Sequence, residues 1–512
     1  MKIIFLSLFA VLLCLTVNAQ YYTEENGVLL WYSVLSEDEK TVEVSGAPED
    51  YFVYNEQTGE NEYFHQDISQ ITRINVPGTI NGYTVVRANG FMGLPALEEI
   101  TFAEGVKELG ERTLEGCLKL EIINLPQSLE QINKDCFNFC TSLAEITLPE
   151  NLYRFGDSWG NAAFLGCQNL KKLNILCKDP QWILTMTNMT YSNSDGEVLP
   201  EYTNLRETVE SIYFGPNVGE FSEHFPFPNL KSITVDEANT ELDSRNGCNA
   251  VIWTPGNKLI KACNTTQVPS SVEIIGHNAF EGTAISELNL PPSVKEIGGY
   301  AFANCNMLTE VTLYREDGMY IGNNTFDNCQ NLKKISFGPR SILQTPVSNC
   351  PSLEEITFGE NWSLYDKIFE NCLNIRLVTL GETYFGKNTN LWYNSSDNPS
   401  LLRRDMVVRS FITEPQAMEL MVGEVYDSES GTSEFIYPQK LYVPKGTKAL
   451  YEQTETWNKC AEIIEMEDET GIEGLCRSCV NAKSQILNLS GQRLITPQKG
   501  INIINGEKFL VK

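Results

Sequence analysis

Residues 285–308 read ISELNLPPSVKEIGGYAFANCNML, from Ile285 to Leu308, and the way this stretch recurs decides the architecture. Its opening hexad has copies beginning at Leu97 (LEEITF), Leu120 (LEIINL), Leu143 (LAEITL), Leu308 (LTEVTL), Leu332 (LKKISF), Leu353 (LEEITF) and Ile375 (IRLVTL), at a spacing of about 23 residues. Self-similarity at such a period marks a solenoid. The fold class read from this is a β-rich solenoid with one short strand per hexad, stacked into a parallel sheet along one face, plus a small C-terminal β unit. The fourth and sixth hexad positions are apolar throughout, as in Ile100 and Phe102, Ile146 and Leu148, or Ile356 and Phe358. Period two turns that pair inward. The fifth position points the other way and is short and polar: Thr101, Asn124, Thr147, Asn289, Thr312, Ser336, Thr357 and Thr379. A polar ladder along the sheet is expected there.

The second half of the unit repeats as VEIIGHNAF from Val272, VKEIGGYAF from Val294 and YIGNNTF from Tyr320. It places Gly276, Gly298 and Gly322 where a turn is expected to need positive φ, followed by Phe280, Phe302 and Phe326 as core fillers. Cys117, Cys140, Cys167, Cys305, Cys329, Cys350 and Cys372 each stand three residues ahead of the next hexad. They therefore hold one structural position repeated, and stacked thiols with parallel side-chain vectors favour buried, reduced cysteine over disulfides.

These units resemble the BspA-like family of bacterial leucine-rich repeat proteins, whose repeat has the form L-x-x-I-x-L-P-x-S-V-x-x-I-G-x-x-A-F-x-x-C. The likeness spans about Gly27 to Glu467, and includes DSRNGCNAVIW and LYVPKGTKALYEQTETW as accompanying elements. It implies a leucine-rich repeat solenoid and an exported or surface protein of Gram-negative anaerobes, in a family associated with adhesion to host proteins or other cells. The segments NLSGQRL and KGINIINGEKFLVK are similar to C-terminal sorting regions of type IX secretion cargo, though shorter.

The solenoid is expected over 97–465, with insertions near 177–227, 236–268 and 381–440 and a C-terminal cap. An N-terminal β cap and divergent first repeat occupy 20–96, where GVLLWYSV and TVEVSG read as strands. Residues 471–512 form a small tail with Asn505-Gly506 as a hairpin turn. Met1 to Ala19 read as a signal peptide, with an apolar run from Ile3 to Thr16. That run is too short to span a bilayer, and Leu12 and Leu13 before Cys14 are not the small residues of a lipoprotein signal. A secreted or cell-surface protein without membrane insertion is expected.

Against 67 acidic residues stand 38 lysines and arginines, a net charge of -29, so nucleic acid is repelled. Catalytic motifs are only apparent. Gly156-Asp157-Ser158-Trp159-Gly160 spells a nucleophile elbow, but no helix follows it and the chain has only His65, His224 and His277. Cys476-Arg477-Ser478-Cys479 lacks a βαβ setting, and a local disulfide is the plainer reading. No calcium loop or zinc pattern occurs, so no cofactor or metal is expected.

The expected function is non-enzymatic binding of an extracellular protein or glycan by a monomer. Candidate contacts are Thr101, Thr147, Asn289, Thr312 and Thr357, an acidic stripe of Glu99, Glu145 and Glu310 with Glu287 and Glu355, and the aromatics Trp253, Trp362, Trp392 and Tyr393. An exported hydrolase or carbohydrate-utilisation accessory protein acting through an insertion, and a structural envelope component, are the alternatives.

Overall fold

The computed structural model describes residues 21–47, 49–55, 60–156, 163–181, 184, 205–219, 221, 227–364, 369–382, 392–393, 405–416, 423–427 and 432–466, and strands within 486–511. Contacts divide the chain into two compact units, Met1–Pro255 with Ala262–Gln267, and Gly256–Lys261 with Val268–Lys512.

In the first unit, strands Tyr21–Glu25, Val28–Ser36 and Thr41–Val44 form an antiparallel meander. Its last strand lies parallel to Tyr83–Ala88, which opens a sheet continued by the short strands Glu108–Leu109, Gln131–Ile132 and Arg154–Phe155. The meander thus occupies an edge whose backbone groups would otherwise be left unpaired. Both N-terminal stretches read as strands are strands. Hexad strands form a second face: Arg73–Val76, Glu99–Phe102 and Ile122–Asn124 pair in parallel register. A separate parallel sheet joins Glu145–Leu148, Lys172–Ile175, Ser211–Phe214 and Ser232–Val235.

The second unit carries a seven-stranded parallel sheet from Glu310–Leu313 through Lys334–Phe337, Glu355–Phe358, Leu377–Leu380, Val407–Ser410 and Lys440–Val443 to Glu462–Glu465. Two-residue strands such as Ile274–Ile275, Glu296–Ile297, Tyr320–Ile321 and Ile342–Leu343 line up as another parallel sheet. Phe326–Asp327, Val347–Ser348, Phe369–Glu370 and Trp392–Tyr393 make a third. Sequence led to one sheet per repeat, whereas a full turn here contributes to as many as three. The apolar clip of each unit, such as Glu296–Ile297, and the aromatic segment, such as Phe326–Asp327, are each long enough for one pair of ladder bonds, and stacking at a fixed repeat brings them into register.

Ile285–Leu290, the hexad of the stretch that carries the family likeness best, forms no strand, and Leu288 and Leu290 are only half-buried. Pro291 and Pro292 follow it directly and remove two successive N–H donors. Farther on, within the LYVPKGTKALYEQTETW element, Lys448–Gln453 forms a short helix, and Tyr451 meets Trp457 edge-on at 4.9 Å, both fully buried. In the tail, Gly500–Ile504 and Glu507–Val511 pair antiparallel, with Ile504 opposite Glu507, on either side of Asn505-Gly506.

The interior is built in columns. Phe280, Phe302 and Phe326 stack at 5.0 and 5.4 Å, and Phe137 stacks on Phe164 at 5.1 Å. The repeat glycines have another reason than the expected one. Gly276, Gly298 and Gly322 do not have positive φ; that conformation falls two residues later, at Asn278, Tyr300 and Asn324. A Cβ on Gly298 would come within 2.7 Å of the His277 backbone nitrogen, and one on Gly322 within 2.7 Å of the Gly299 nitrogen. Close approach of successive turns excludes a side chain there.

Candidate binding face

Alternation along each hexad strand sends the fourth and sixth side chains inward, leaving the third and fifth outward. Thr147 and Thr312 are exposed, and Thr101 and Thr357 are half-buried. In the first unit the polar ladder is directly bonded. Asn124 donates through Nδ2 to Thr101 Oγ1 at 3.0 Å, and Asn174 likewise to Thr147 Oγ1 at 3.0 Å. Asn289 is exposed but lies outside any strand, and Thr379 is buried. The sheet therefore brings Thr312 and Thr357 into one row and leaves Asn289 out of it.

The acidic stripe does not exist as such. Arg73 pairs with Glu99 at 2.8 Å, Lys172 with Glu145 at 2.8 Å, and Lys334 with Glu355 at 3.1 Å. Glu310 stands directly opposite Lys334 in the register. Like charges facing each other across strands are unfavourable, and neighbouring strands supply the cations that separate them, two from less regular hexads and Lys334 from the regular one at Leu332. The Lys172 ammonium, hydrogen-bonded to Glu145, holds that carboxyl below the usual glutamate range. Such exposed pairs contribute little to stability; their effect is to make the face locally neutral in a strongly acidic protein.

Among the aromatics, Trp362 is fully buried rather than exposed. Its ring stacks on Phe358 at 4.6 Å and extends the Phe337–Phe358 pair, whose rings lie 5.5 Å apart. Following the strand end so closely, it completes the core column. Trp253 is half-buried at the end of Ala250–Trp253. Trp392 and Tyr393 form a strand, and their side chains lie outside the described residues. Sequence reasoning missed Tyr314, 44% exposed just past Glu310–Leu313, and Ile122, 49% exposed at an outward position. For Ile122 the available signal was an apolar residue where most other hexads carry charge, and for Tyr314 an aromatic where other hexads are followed by Ala, Pro or Gly.

The cysteine column faces inward. All twelve described cysteines are free and buried. Thiols of Cys117, Cys167, Cys305, Cys329 and Cys350 donate to the carbonyls of Phe91, Phe137, Phe280, Phe302 and Phe326, one turn back, at 3.1 to 3.2 Å. Burial pushes Cys117 up to about 11 and Cys167 and Cys305 up to about 12, which makes them inert as nucleophiles near neutrality. His277 is exposed and accepts from the Gly299 N–H at 3.0 Å.

Asp157 to Gly160, His224, Cys476 and Cys479 lie outside the described residues, as do the signal segment and Asn388 to Leu391. Among the described residues, no cluster of three or more His, Cys, Asp or Glu side chains is placed to hold a metal ion. No helix among them is long and apolar enough to cross a membrane.

Several solved structures are similar to this chain. Pneumococcal vaccine antigen PcpA aligns at 17% identity and TM-score 0.45, covering 88% of this chain and 100% of its own. A leucine-rich repeat protein from Bacteroides ovatus aligns at 19% identity and TM-score 0.43, covering 89% and 100%. A leucine rich cell surface protein from Faecalibacterium prausnitzii aligns at 15% and 0.34, covering 75% and 97%. No curated protein matches the chain. The model of the BspA type leucine-rich repeat region matches in six copies over residues 58–197 and 257–376, half of the chain. Stacked parallel rungs, inward thiols and this match agree, and the chain belongs to the BspA type leucine-rich repeat family.

Proposed function

We propose that the protein is an exported, cell-surface or secreted binding protein without catalytic activity, which engages an extracellular protein through the outer face of its hexad sheets. The observation that carries this reading is the division of side chains. The column thiols and the stacked phenylalanines are sealed inside, while the outward rows hold Thr147 in the first unit and Thr312 in the second, with charge pairs on regularly paired strands. A repeated rigid strand face offers extended contact area at little ordering cost. Family membership and the apolar N-terminal run support export, and the basic tail from Gly471 fits surface attachment.

The test is surface capture of the purified full chain on a panel of host extracellular proteins and intact bacteria. Thr312→Arg and Thr147→Arg are expected to reduce capture about tenfold, a loss of about 1.4 kcal/mol, with the melting temperature unchanged. Capture that survives both substitutions would move binding off this face. Turnover of peptide, ester or glycan substrates that Ser158→Ala abolishes would replace the binding reading with a hydrolase.

A further inference from the structure

The turns of the second unit carry a feature that the hexad face does not use. Asn304, Asn328, Asn349 and Asn371 stand at the same point of four successive turns, all in the left-handed region with φ of 59°, 54°, 52° and 54°. Asparagine tolerates that conformation better than most residues, which explains the residue type but not the way the side chains are joined. Asn328 Nδ2 donates to Asn304 Oδ1 at 2.6 Å, and Asn371 Nδ2 to Asn349 Oδ1 at 3.0 Å. Gln330 Nε2 donates to Asn328 Oδ1, and the Gln330 backbone N–H to Asn306 Oδ1 at 3.0 Å. Asn306, Gln330, Asn349 and Asn371 are exposed.

Two chemical facts follow. A primary amide has two N–H donors and two acceptor lone pairs, and a ladder bond takes one N–H of the donor and one lone pair of the acceptor. Each rung therefore still offers donor and acceptor capacity to the outside, held in fixed orientation by its neighbour and repeated at about the 4.8 Å strand spacing. Within 303–307, 327–331, 348–352 and 371–374 the only charge is Asp327. Its carboxylate is engaged by Ser348 Oγ at 2.6 Å and Asn349 Nδ2 at 2.7 Å. In a chain of net charge -29 this strip is close to neutral.

A partner for such a strip must be uncharged, extended, and rich in groups that both donate and accept. A cationic segment would be drawn to the carboxylates elsewhere, and an anionic polymer is opposed by the protein's overall field. We propose that the two amide pairs, Asn304–Asn328 and Asn349–Asn371, with the Asp327 carboxylate that Asn349 donates to between them, bind an extended neutral glycan, its hydroxyls meeting one amide per turn, with the exposed Met307 offering an apolar contact at one end. This site is separate from the outward hexad face.

The experiment is calorimetric titration of the full chain with cellohexaose, mannohexaose and, as the anionic counterpart, hexameric oligogalacturonate. At least one neutral hexasaccharide is expected to bind and the anionic one to bind at least about tenfold more weakly. Gln330→Ala, at a position of ordinary backbone, should weaken neutral binding several-fold. Adding Asn371→Gly, which keeps the left-handed turn accessible, should bring the loss to at least about tenfold with an unchanged melting temperature. Absence of binding by both neutral sugars, equal binding of the anionic one, or wild-type affinity in the double variant overturns the proposal. Thr312→Arg should leave sugar affinity intact, so failure here and failure of the hexad face are read separately.

Discussion

The hexad sheets of the two units reverse what their sequences suggest. In the first unit, Leu97, Leu120 and Leu143 open hexads at an unbroken 23-residue spacing, yet the sheet stops between Ile122–Asn124 and Glu145–Leu148. In the second, the repeat loses its pattern after Leu380, yet the sheet runs on through Val407–Ser410 and Lys440–Val443 to Glu462–Glu465. Pairing depends on an inward apolar pair reaching the core at the right height. Ile123 and Leu125 are only half-buried at the break, whereas Val408, Leu441 and Val443 are fully buried where spacing is irregular. Burial at the rung, more than constancy of the connecting turn, decides continuity.

The largest expected effect comes from the aromatic column. Phe302→Ala removes the middle ring of the Phe280–Phe302–Phe326 stack and should cost about 3–5 kcal/mol in urea unfolding; a cost below about 1 kcal/mol would mean the column is not the core. The break in the first unit can be measured directly. Ile146→Ala, fully buried past the seam, should cost about 2–5 kcal/mol, and Ile123→Ala, before it, about 1 kcal/mol. Val408→Ala should cost about 2 kcal/mol despite its irregular surroundings, and a negligible loss there would undo the comparison.

The thiol column predicts a pH dependence. Its folded-state pKa, about 12 for Cys305 and Cys167, lies above the roughly 8.5 of an unfolded thiol. The stabilisation is complete below about pH 8.5 and is lost as pH rises toward 12. Urea midpoints should fall across that window, and Cys305→Ala should flatten the slope. A thiol reagent should label these residues only after denaturation. The smallest effect is Lys334→Ala, expected to cost less than about 1 kcal/mol and to shrink with added salt.

Much of the fold was legible because a short repeat exposes its own alignment. The cysteine position and the core phenylalanine could be read from Ile285 to Leu308, and the inward pair from the other copies of its hexad. The candidate face was legible only in part. Its polar fifth position was evident, but counting only the glutamates at the third position hid Arg73 and Lys172, which come from weaker copies, and Lys334, which stands at that position in the clear copy from Leu332. Trp362 was misplaced because residues after a hexad look like turn, while the stack on Phe358 carries the core past the strand end.

Sequence alone settled the period, the inward and outward sides of most hexads and the shared place of the cysteines, since alternation and repetition are local properties of a chain. Only the tertiary structure decided where the sheets break, that clips and aromatic segments pair into further sheets, that glutamates meet cations, and that Gly298 and Gly322 serve close packing. Each of these depends on distances between one turn and the next, and those distances arise only when the rungs are stacked.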